Sequence, residues 1–443
     1  MKMFFKLAMI GAMTLVILVA LAMVAGVIEE RQRYRHEAVA DIARSVGQSQ
    51  VLAGPVLLVP YEETSTREVQ GSDGVTRTSS ERRSGHWRFF PATLEARGRL
   101  VPDVRWRGLH EIRVFEWQGA LDAGFDVTIP ADVPGVTRRI GRPLLSWGIS
   151  DVRGIRGTPE VVVDGRRLRA MQGSRSGIAA GEGADAASAG SGLHVPIEAL
   201  APGQRRVMAT RLSLSLSGTE RFGILPVGDS NVLALDSTWP HPSFGGLLPK
   251  HRTDGSGFKA EWRIDALATN ARLLWNSAGL AEDDRDVARV ALVDPVNPYL
   301  QAERATKYGV LFVVLTFGGF FLFELLRQVR VHPIQYGLVG LALSIFFLLL
   351  VSLSERLAFG WSYLAAATAC IALIGAYLGP VLGNRLRAAG FAAMLAALYA
   401  ALYGLLILED NALLVGSGLL FAILAAVMLA TRRVDWYALS GRD

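Results

Sequence analysis

The richest short stretch of reactive side chains in this chain is Asp236-Ser237-Thr238-Trp239-Pro240-His241-Pro242-Ser243-Phe244. An acid, hydroxyls and an imidazole are the types a nucleophilic triad uses. Triad members converge from separate segments, however, and two prolines hold this stretch extended and rigid. It reads better as a packed aromatic turn, with Trp239, Ser243 and Phe244 its candidate functional or structural positions. Glu282-Asp283-Asp284-Arg285-Asp286 offers carboxylates to calcium but lacks the turn glycine and distal glutamate of a calcium loop, so it reads as a solvated charge run. The seven histidines are scattered without metal-ligand spacing, and the single cysteine, Cys370, lies in an apolar run where no intramolecular disulfide or cysteine-based metal site can form. The phosphate-cradling glycine loop, the zinc-binding His-Glu-x-x-His helix and the Gly-x-Ser-x-Gly elbow are all absent. No catalytic residue, cofactor or metal is assigned, and the expectation is a protein that is not an enzyme.

Ionisable groups near a bilayer are costly unless paired, hydrated or interfacial. Glu324 is the leading candidate of this kind: at the end of an apolar run, it can pair with Arg327 one helical turn on. An interfacial salt bridge is preferred to a proton or ion site. Glu409 and Asp410 form a short turn between two apolar runs, where their charge suits the N-terminus of the following helix.

The elements that position these groups are apolar runs long enough to cross about 30 Å of hydrocarbon. Six qualify: Leu7 to Ile28, Tyr308 to Phe323 (extending past Glu324 to Leu326), Pro333 to Ser354, Leu357 to Leu378, Ala388 to Leu408 and Asn411 to Thr431. The first exceeds the usual apolar core of a secretory signal and reads as an uncleaved anchor, although Ala20-Leu21-Ala22 resembles a cleavage site. One set of alternate ends holds Lys2, Lys6, Arg327, Arg330, Arg385, Arg387, Arg432, Arg433 and Arg442, against only Arg356 in the opposite short loops. Positive residues stay on the cytoplasmic side, so both termini are expected in the cytoplasm and the intervening residues outside it. No span carries a charge near its middle, which disfavours a proton-coupled transporter.

The charge totals gain meaning from position. Of 46 Lys and Arg and 40 Asp and Glu, 35 and 34 lie between residues 29 and 306, so the net charge of +6 belongs almost wholly to the membrane segments. A basic face for phosphates is therefore not expected, and nucleic acid is excluded as a partner. Within 29–306 the dominant period is two, as in Leu212-Ser213-Leu214-Ser215-Leu216-Ser217, which predicts half-buried antiparallel strands. Further strands are expected around Pro55 to Pro60, His110 to Glu116, Phe125 to Ile129, Val161 to Arg166, Asn231 to Leu235 and Gly257 to Ile264. Residues 33–46 should extend the anchor as helix, and Glu282 to Val290 should be a short helix or polar loop. Thr64 to Gly85 and Met171 to Gly192 read as exposed loops. The expected fold is thus a membrane protein: an N-terminal transmembrane anchor (1–28), a β-rich, sandwich-like periplasmic domain (29–306) and a bundle of five transmembrane helices (307–443).

Several blocks in order resemble the CreD family of bacterial inner-membrane proteins. They include Arg304-Ala305-Thr306-Lys307-Tyr308-Gly309, Phe320-Phe321-Leu322-Phe323-Glu324, His332-Pro333-Ile334-Gln335-Tyr336 and Leu353-Ser354-Glu355. In the exported residues, Gly54-Pro55, Ile149-Ser150-Asp151-Val152-Arg153-Gly154-Ile155 and Trp239 to Pro249 look like the same family. His332, Gln335 and Glu355 join the candidate polar sites on this ground. Arg356 stands where the family more often has histidine, and the Gly/Ala/Ser stretch 171–192 is peculiar to this chain. The resemblance implies a multi-pass inner-membrane protein of cell-envelope integrity, linked to the Cre two-component system, colicin tolerance and β-lactam response. It implies no reaction and no catalytic residues. The expected partners are the lipid bilayer and a periplasmic or cell-wall component. The alternative is a transporter or channel-like module with an exported substrate-gathering domain, and an envelope hydrolase ranks third.

Overall fold

The computed structural model describes residues 2–70, 76–108, 110–174, 190–276, 285–292, 298–327, 331–381, 385–407 and 412–432. The first apolar run and the residues after it form one helix, α1 (Lys2–Val46). Beyond the apolar part, residues 29–46 are rich in Glu, Arg, Gln and Ala and contain no Gly or Pro to stop the helix. Gly47 stops it: at φ +124 it adopts a backbone that side chains resist, and its N–H returns to the Ala43 carbonyl at 2.9 Å. Six further helices follow: α2 (Ala271–Asn276), α3 (Pro298–Arg327), α4 (Pro333–Ser354), α5 (Phe359–Val381), α6 (Arg385–Ile407) and α7 (Ala412–Thr431). The chain divides into two compact units, one of residues 1–35 with 296–443 and the other of residues 36–295.

In the helical unit, α1 and α3 to α6 are each long and apolar enough to cross a membrane. The sixth expected span coincides with α7, but its described apolar stretch is only Gly416–Leu429, so its crossing remains an expectation of the sequence. Side chains from five helices pack into one core, with Ile17, Phe317, Phe346, Ala366 and Phe391 among its buried members. Small residues set the approach distances, as membrane helices require. A Cβ on Gly340 would sit 2.6 Å from Ile17 of α1 and 2.8 Å from Phe317 of α3, so these helices close on α4 only because that position is bare. Buried hydroxyls turn back onto their own helix: Thr306 donates to the Ala302 carbonyl at 2.9 Å, Thr316 to Phe312 at 2.8 Å and Ser354 to Val351 at 2.8 Å. In hydrocarbon no water would satisfy them.

The other unit is built from strands. They are β1 (Gln50–Gln70), β2 (Thr76–Phe89), β3 (Thr93–Arg107), β4 (His110–Thr128), β5 (Val136–Ile140), β6 (Leu144–Ile149), β7 (Ile155–Val163), β8 (Arg166–Leu168) and β9 (Met171–Gln172). Then come β10 (Gly192–Pro196), β11 (Arg205–Thr219), β12 (Arg221–Leu225), β13 (Ser230–Ser237), β14 (Pro242–Gly246), β15 (Lys250–Asp254), β16 (Gly257–Asp265) and β17 (Ala288–Leu292). One sheet runs β14-β17-β12-β1-β6-β10-β9, with β2 and β5 also on β1; the other runs β15-β16-β13-β3-β4-β11-β7-β8. Their facing sides share a single apolar core, including Leu57, Trp117, Phe125, Trp147, Leu216 and Phe222.

Most strands pair antiparallel as the alternation predicts, but β1 pairs with β12, and β3 with β13, in parallel. The chain crosses between the sheets repeatedly: β1 and β2 lie in the first, β3 and β4 in the second and β5 and β6 in the first again, while from β12 to β17 it alternates, with β13, β15 and β16 in the second sheet. Local alternation cannot reveal this, because parallel partners are set by distant crossovers. At the centre, Gly98 of β3 faces Gly119 of β4, and together they clear space for the Trp117 indole. Trp117 is fully buried there and stacks on Phe222 at 5.2 Å and 23°.

Two further expectations change. Residues 64–70 and 76–85, expected as loop, are strand: β1 and β2 pair from Leu57↔Phe89 out to Gln70↔Thr76 as a hairpin arm. Its strands are polar in sequence, so no apolar alternation marks them. Val290, placed in a helix or polar loop, is buried in β17. Residues 282–284, and 175–189 of the Gly/Ala/Ser stretch, lie outside the described residues.

Candidate functional site

The candidate polar residues of the helical unit collect at helix ends. Between α3 and α4, the His332-Pro333-Ile334-Gln335-Tyr336 block is a helix start. His332 is the N-cap, its ring nitrogen accepting from the Ile334 N–H at 3.3 Å, and the Gln335 side chain accepts from the His332 N–H at 3.0 Å. This reciprocal capping, with proline at the first turn, fixes where α4 begins. One turn on, Tyr336 is fully buried against Phe317 and Phe320, and its hydroxyl donates to Glu324 of α3 at 2.9 Å. The other Glu324 oxygen accepts from the Val331 N–H at 3.3 Å. Glu324 therefore ties the α3 end to the α4 start through a tyrosine that pairwise charge reading could not reveal. The Arg327 side chain, its expected partner, lies outside the described side chains.

Opposite ends of the helices carry a second group. Glu355 caps α4 and faces Arg31 of α1 at 3.4 Å. Glu303 of α3 accepts from Gln32 of α1 at 3.0 Å and pairs with Lys307 at 2.8 Å. The Arg304-to-Gly309 and Leu353-to-Glu355 blocks thus belong to one collar around α1. Glu409 and Asp410 lie outside the described residues.

In the β unit, the 236–244 stretch does not assemble a triad. Asp236 faces Arg99 at 3.6 Å, the Ser237 hydroxyl accepts from the Trp239 N–H at 3.2 Å, and His241 and Ser243 are exposed. Trp239 donates its indole N–H to the His241 carbonyl at 2.9 Å and lies under the Arg113 guanidinium at 4.7 Å. Phe244 packs on His251, Phe258 and Trp262. These are the contacts of an aromatic turn.

The residues that do converge in the β unit were not singled out for chemistry: Asp151 and Arg153 of the Ile149-to-Ile155 block, with Gln48, Gln50 and Ser217. Asp151 takes a two-pronged bond from Arg153, at 2.9 and 2.8 Å, and also accepts from the Gln48 N–H at 3.0 Å. Gln50, almost fully buried, donates to the Asp151 and Ser217 carbonyls at 2.9 and 3.0 Å. Burial pushes the Asp151 carboxyl up, but the bonds from Arg153 and from the Gln48 and Arg153 N–H groups outweigh it and hold the group below the ordinary carboxylate range. The knot joins the chain just after α1 to the β6 end and to β11. Its partners lie roughly a hundred residues apart, which hides it from a linear reading.

Most other charges of the β unit are spent in pairs across its outer surface, such as Arg205 with Asp126 at 2.6 Å and Arg97 with Glu95 at 2.9 Å. Among the described residues no group of three or more His, Cys, Asp or Glu is placed to hold a metal ion.

Apolar helices sufficient for several crossings, with a large two-sheet β unit between the first and second of them, define a multi-pass membrane protein. The model of the family described as "Inner membrane protein CreD" matches residues 2–437. Inner membrane protein CreD of Escherichia coli (strain K12) is 32% identical over 440 residues, covering 99% of this chain and 94% of that one. The chain belongs to the CreD family of inner membrane proteins. Among solved structures, a point mutant of the M1 zinc metallopeptidase of Deinococcus radiodurans matches at 10% identity over 39% of this chain and 38% of that one, with a TM-score of 0.19. The same mutant with a Tyr-Ser-Ala substrate matches at 11% identity over the same shares, with a TM-score of 0.18. Superpositions this poor carry no argument about fold or chemistry.

Proposed function

We propose that this protein serves cell-envelope integrity and the envelope-stress response without catalysing a reaction, its β-rich residues 29–306 facing the periplasm and both termini in the cytoplasm. The observation that carries this reading is that residues 36–295 fold as their own compact unit, led into and out of by apolar helices. A body so tethered is suited to contact the wall or its partners close to the membrane. The lysines and arginines at alternate helix ends supply the orientation. The reading as a non-enzyme draws support from the 236–244 stretch, where Asp236 pairs with Arg99, the Ser237 hydroxyl accepts from the Trp239 N–H and the His241 ring packs edge-on to Trp239, so that no triad assembles. Glu324, Tyr336, His332 and Gln335 then act as a clamp on the α3–α4 connection, and Arg31 with Glu355 as its counterpart at the other ends. A clean deletion should sensitise cells to β-lactams and detergents under inducing conditions. Unchanged sensitivity would refute the physiological role, and a reporter fused after Asp443 that proved active outside the cytoplasm would refute the orientation.

A further inference from the structure

The β3–β4 pair reaches further than the ladder beside it. Pairing of β11 with β4 ends at Thr219↔Val114, whereas β3 and β4 continue through Val104↔Arg113, Arg105↔Ile112 and Trp106↔Glu111 to Arg107↔His110. At a rise of about 3.4 Å per residue, these four pairs add roughly 13 Å. The level at which they outrun β11 is also where the chain enters and leaves the β unit. The Thr219 hydroxyl donates to the carbonyl of Gly47, just after α1, at 2.8 Å. The Glu220 N–H donates to the Arg113 carbonyl at 3.1 Å, and the Glu220 carbonyl accepts from the N–H of Leu292, the last residue of β17, at 2.8 Å. From that level the extension runs back along α1: Ile112 and Val114 pack on Ala38 and Ile42, and Arg107 at the tip meets Asp41 at 3.2 Å. The tip therefore projects on the side of the β unit from which the chain connects to the apolar run ending at Ile28 and to the one beginning at Tyr308.

What the tip presents is a tryptophan. Trp117, Trp147, Trp262 and Trp275 are buried and Trp87 and Trp239 half-buried, but Trp106 is 65% exposed. Its neighbours Arg105 and Arg107 stand on the other face of the strand, paired with Asp103 at 3.1 Å and with Asp41 at 3.2 Å, so the tip carries an apolar ring with its charges balanced. An indole couples a large apolar body to a single N–H donor, and the layer that suits both is the headgroup zone between water and hydrocarbon.

We propose that the tip of the β3–β4 hairpin is a membrane contact in its own right, resting in the phospholipid headgroup layer with the Trp106 ring at the edge of the hydrocarbon. The occupant is the bilayer that the apolar helices cross, because the tip stands beside both passages of the chain toward those helices. Two chain connections leave a tethered body free to rock, and a further point of contact limits that motion. The contact does not depend on which side of the membrane the β unit lies, so an orientation opposite to the one proposed above would leave it standing.

The test is fluorine NMR of the full-length protein carrying fluorotryptophan, in nanodiscs of phosphatidylethanolamine and phosphatidylglycerol, with Trp106→Phe or Trp106→Leu identifying the Trp106 signal. Two paramagnetic probes are compared, a phospholipid with a nitroxide close to its headgroup and a soluble gadolinium chelate. The Trp106 signal should lose intensity to the nitroxide lipid, and at least as much to it as to the chelate. The fully buried Trp117 and Trp147 should lose intensity to neither and serve as the internal reference. Greater loss to the chelate would return the tip to water, and loss to neither probe would place it against protein; either result overturns the proposal.

Discussion

The two units solve one problem, what to do with polar groups, in opposite ways. The β unit places charges over its surface in cross-strand pairs and buries a hydrogen-bonded knot at Gln50 and Asp151. The helical unit folds its buried serine and threonine hydroxyls onto their own backbone, with Glu303, Glu324 and Glu355 near helix ends. The difference follows from the solvent each would meet. Water screens an exposed pair and makes it nearly free to form or lose, whereas hydrocarbon makes every unsatisfied group expensive. Where a polar side chain is spent is thus a record of its surroundings.

The largest change that sharpens this contrast is Trp117→Ala. Emptying a fully buried indole site should cost the β unit about 3–5 kcal/mol. Hydrogen exchange should rise across β3, β4 and β12 and leave α3 to α6 protected; loss of protection in both would break the division into separately stabilised units. Next is Gly340→Leu, which drives a side chain into Ile17 and Phe317 and should cost about 1–3 kcal/mol by overpacking. Cysteine crosslinks between α1 and α4 should weaken; unchanged crosslinking would show that the close approach is not needed.

Asp151→Asn should cost about 1–3 kcal/mol by removing charge-assisted bonds. Because the folded carboxyl titrates below its ordinary value, its stabilisation is complete above the ordinary carboxylate range near pH 4 and fades as pH falls through the lower folded value. The gap between parent and variant should therefore close in acid, and a gap constant with pH would reject the charged role. Tyr336→Phe deletes one hydroxyl bond to Glu324 and should cost about 1 kcal/mol, read as faster exchange at the α4 start. Smallest is Arg211→Ala, which breaks an exposed pair with Asp122 and should leave the unfolding midpoint in place at any salt concentration.

Much of the architecture was legible because its signals are local. Apolar length found α1 and α3 to α6, and alternation found β11, β13 and β16. His110 to Glu116 and Phe125 to Ile129 read as two strands because Gln118-Gly119-Ala120 interrupts the apolar alternation, yet β4 runs unbroken through it, paired residue by residue with β3 and β11. β3 itself went unread, since Arg97, Arg99 and Pro102 obscure the inward row of Leu94, Ala96 and Leu100. The site was less legible than the fold. Glu324 drew notice as an acid near a membrane, but its tyrosine partner lies twelve residues on, across a helix turn. The Asp151 knot depends on segments brought together only by the sheets, and no spacing rule anticipates it.

The hairpin arm of β1 and β2 has a consequence for descent. Past Ser65 the two strands continue only against each other, to Gln70↔Thr76, after the pairing with β5 has ended. A residue added to one side of that ladder must be matched by one on the other, or the register slips and every side chain beyond changes face. Lineages of this family should therefore lengthen or trim the arm in even steps, while the tightly packed strands beneath it keep their length.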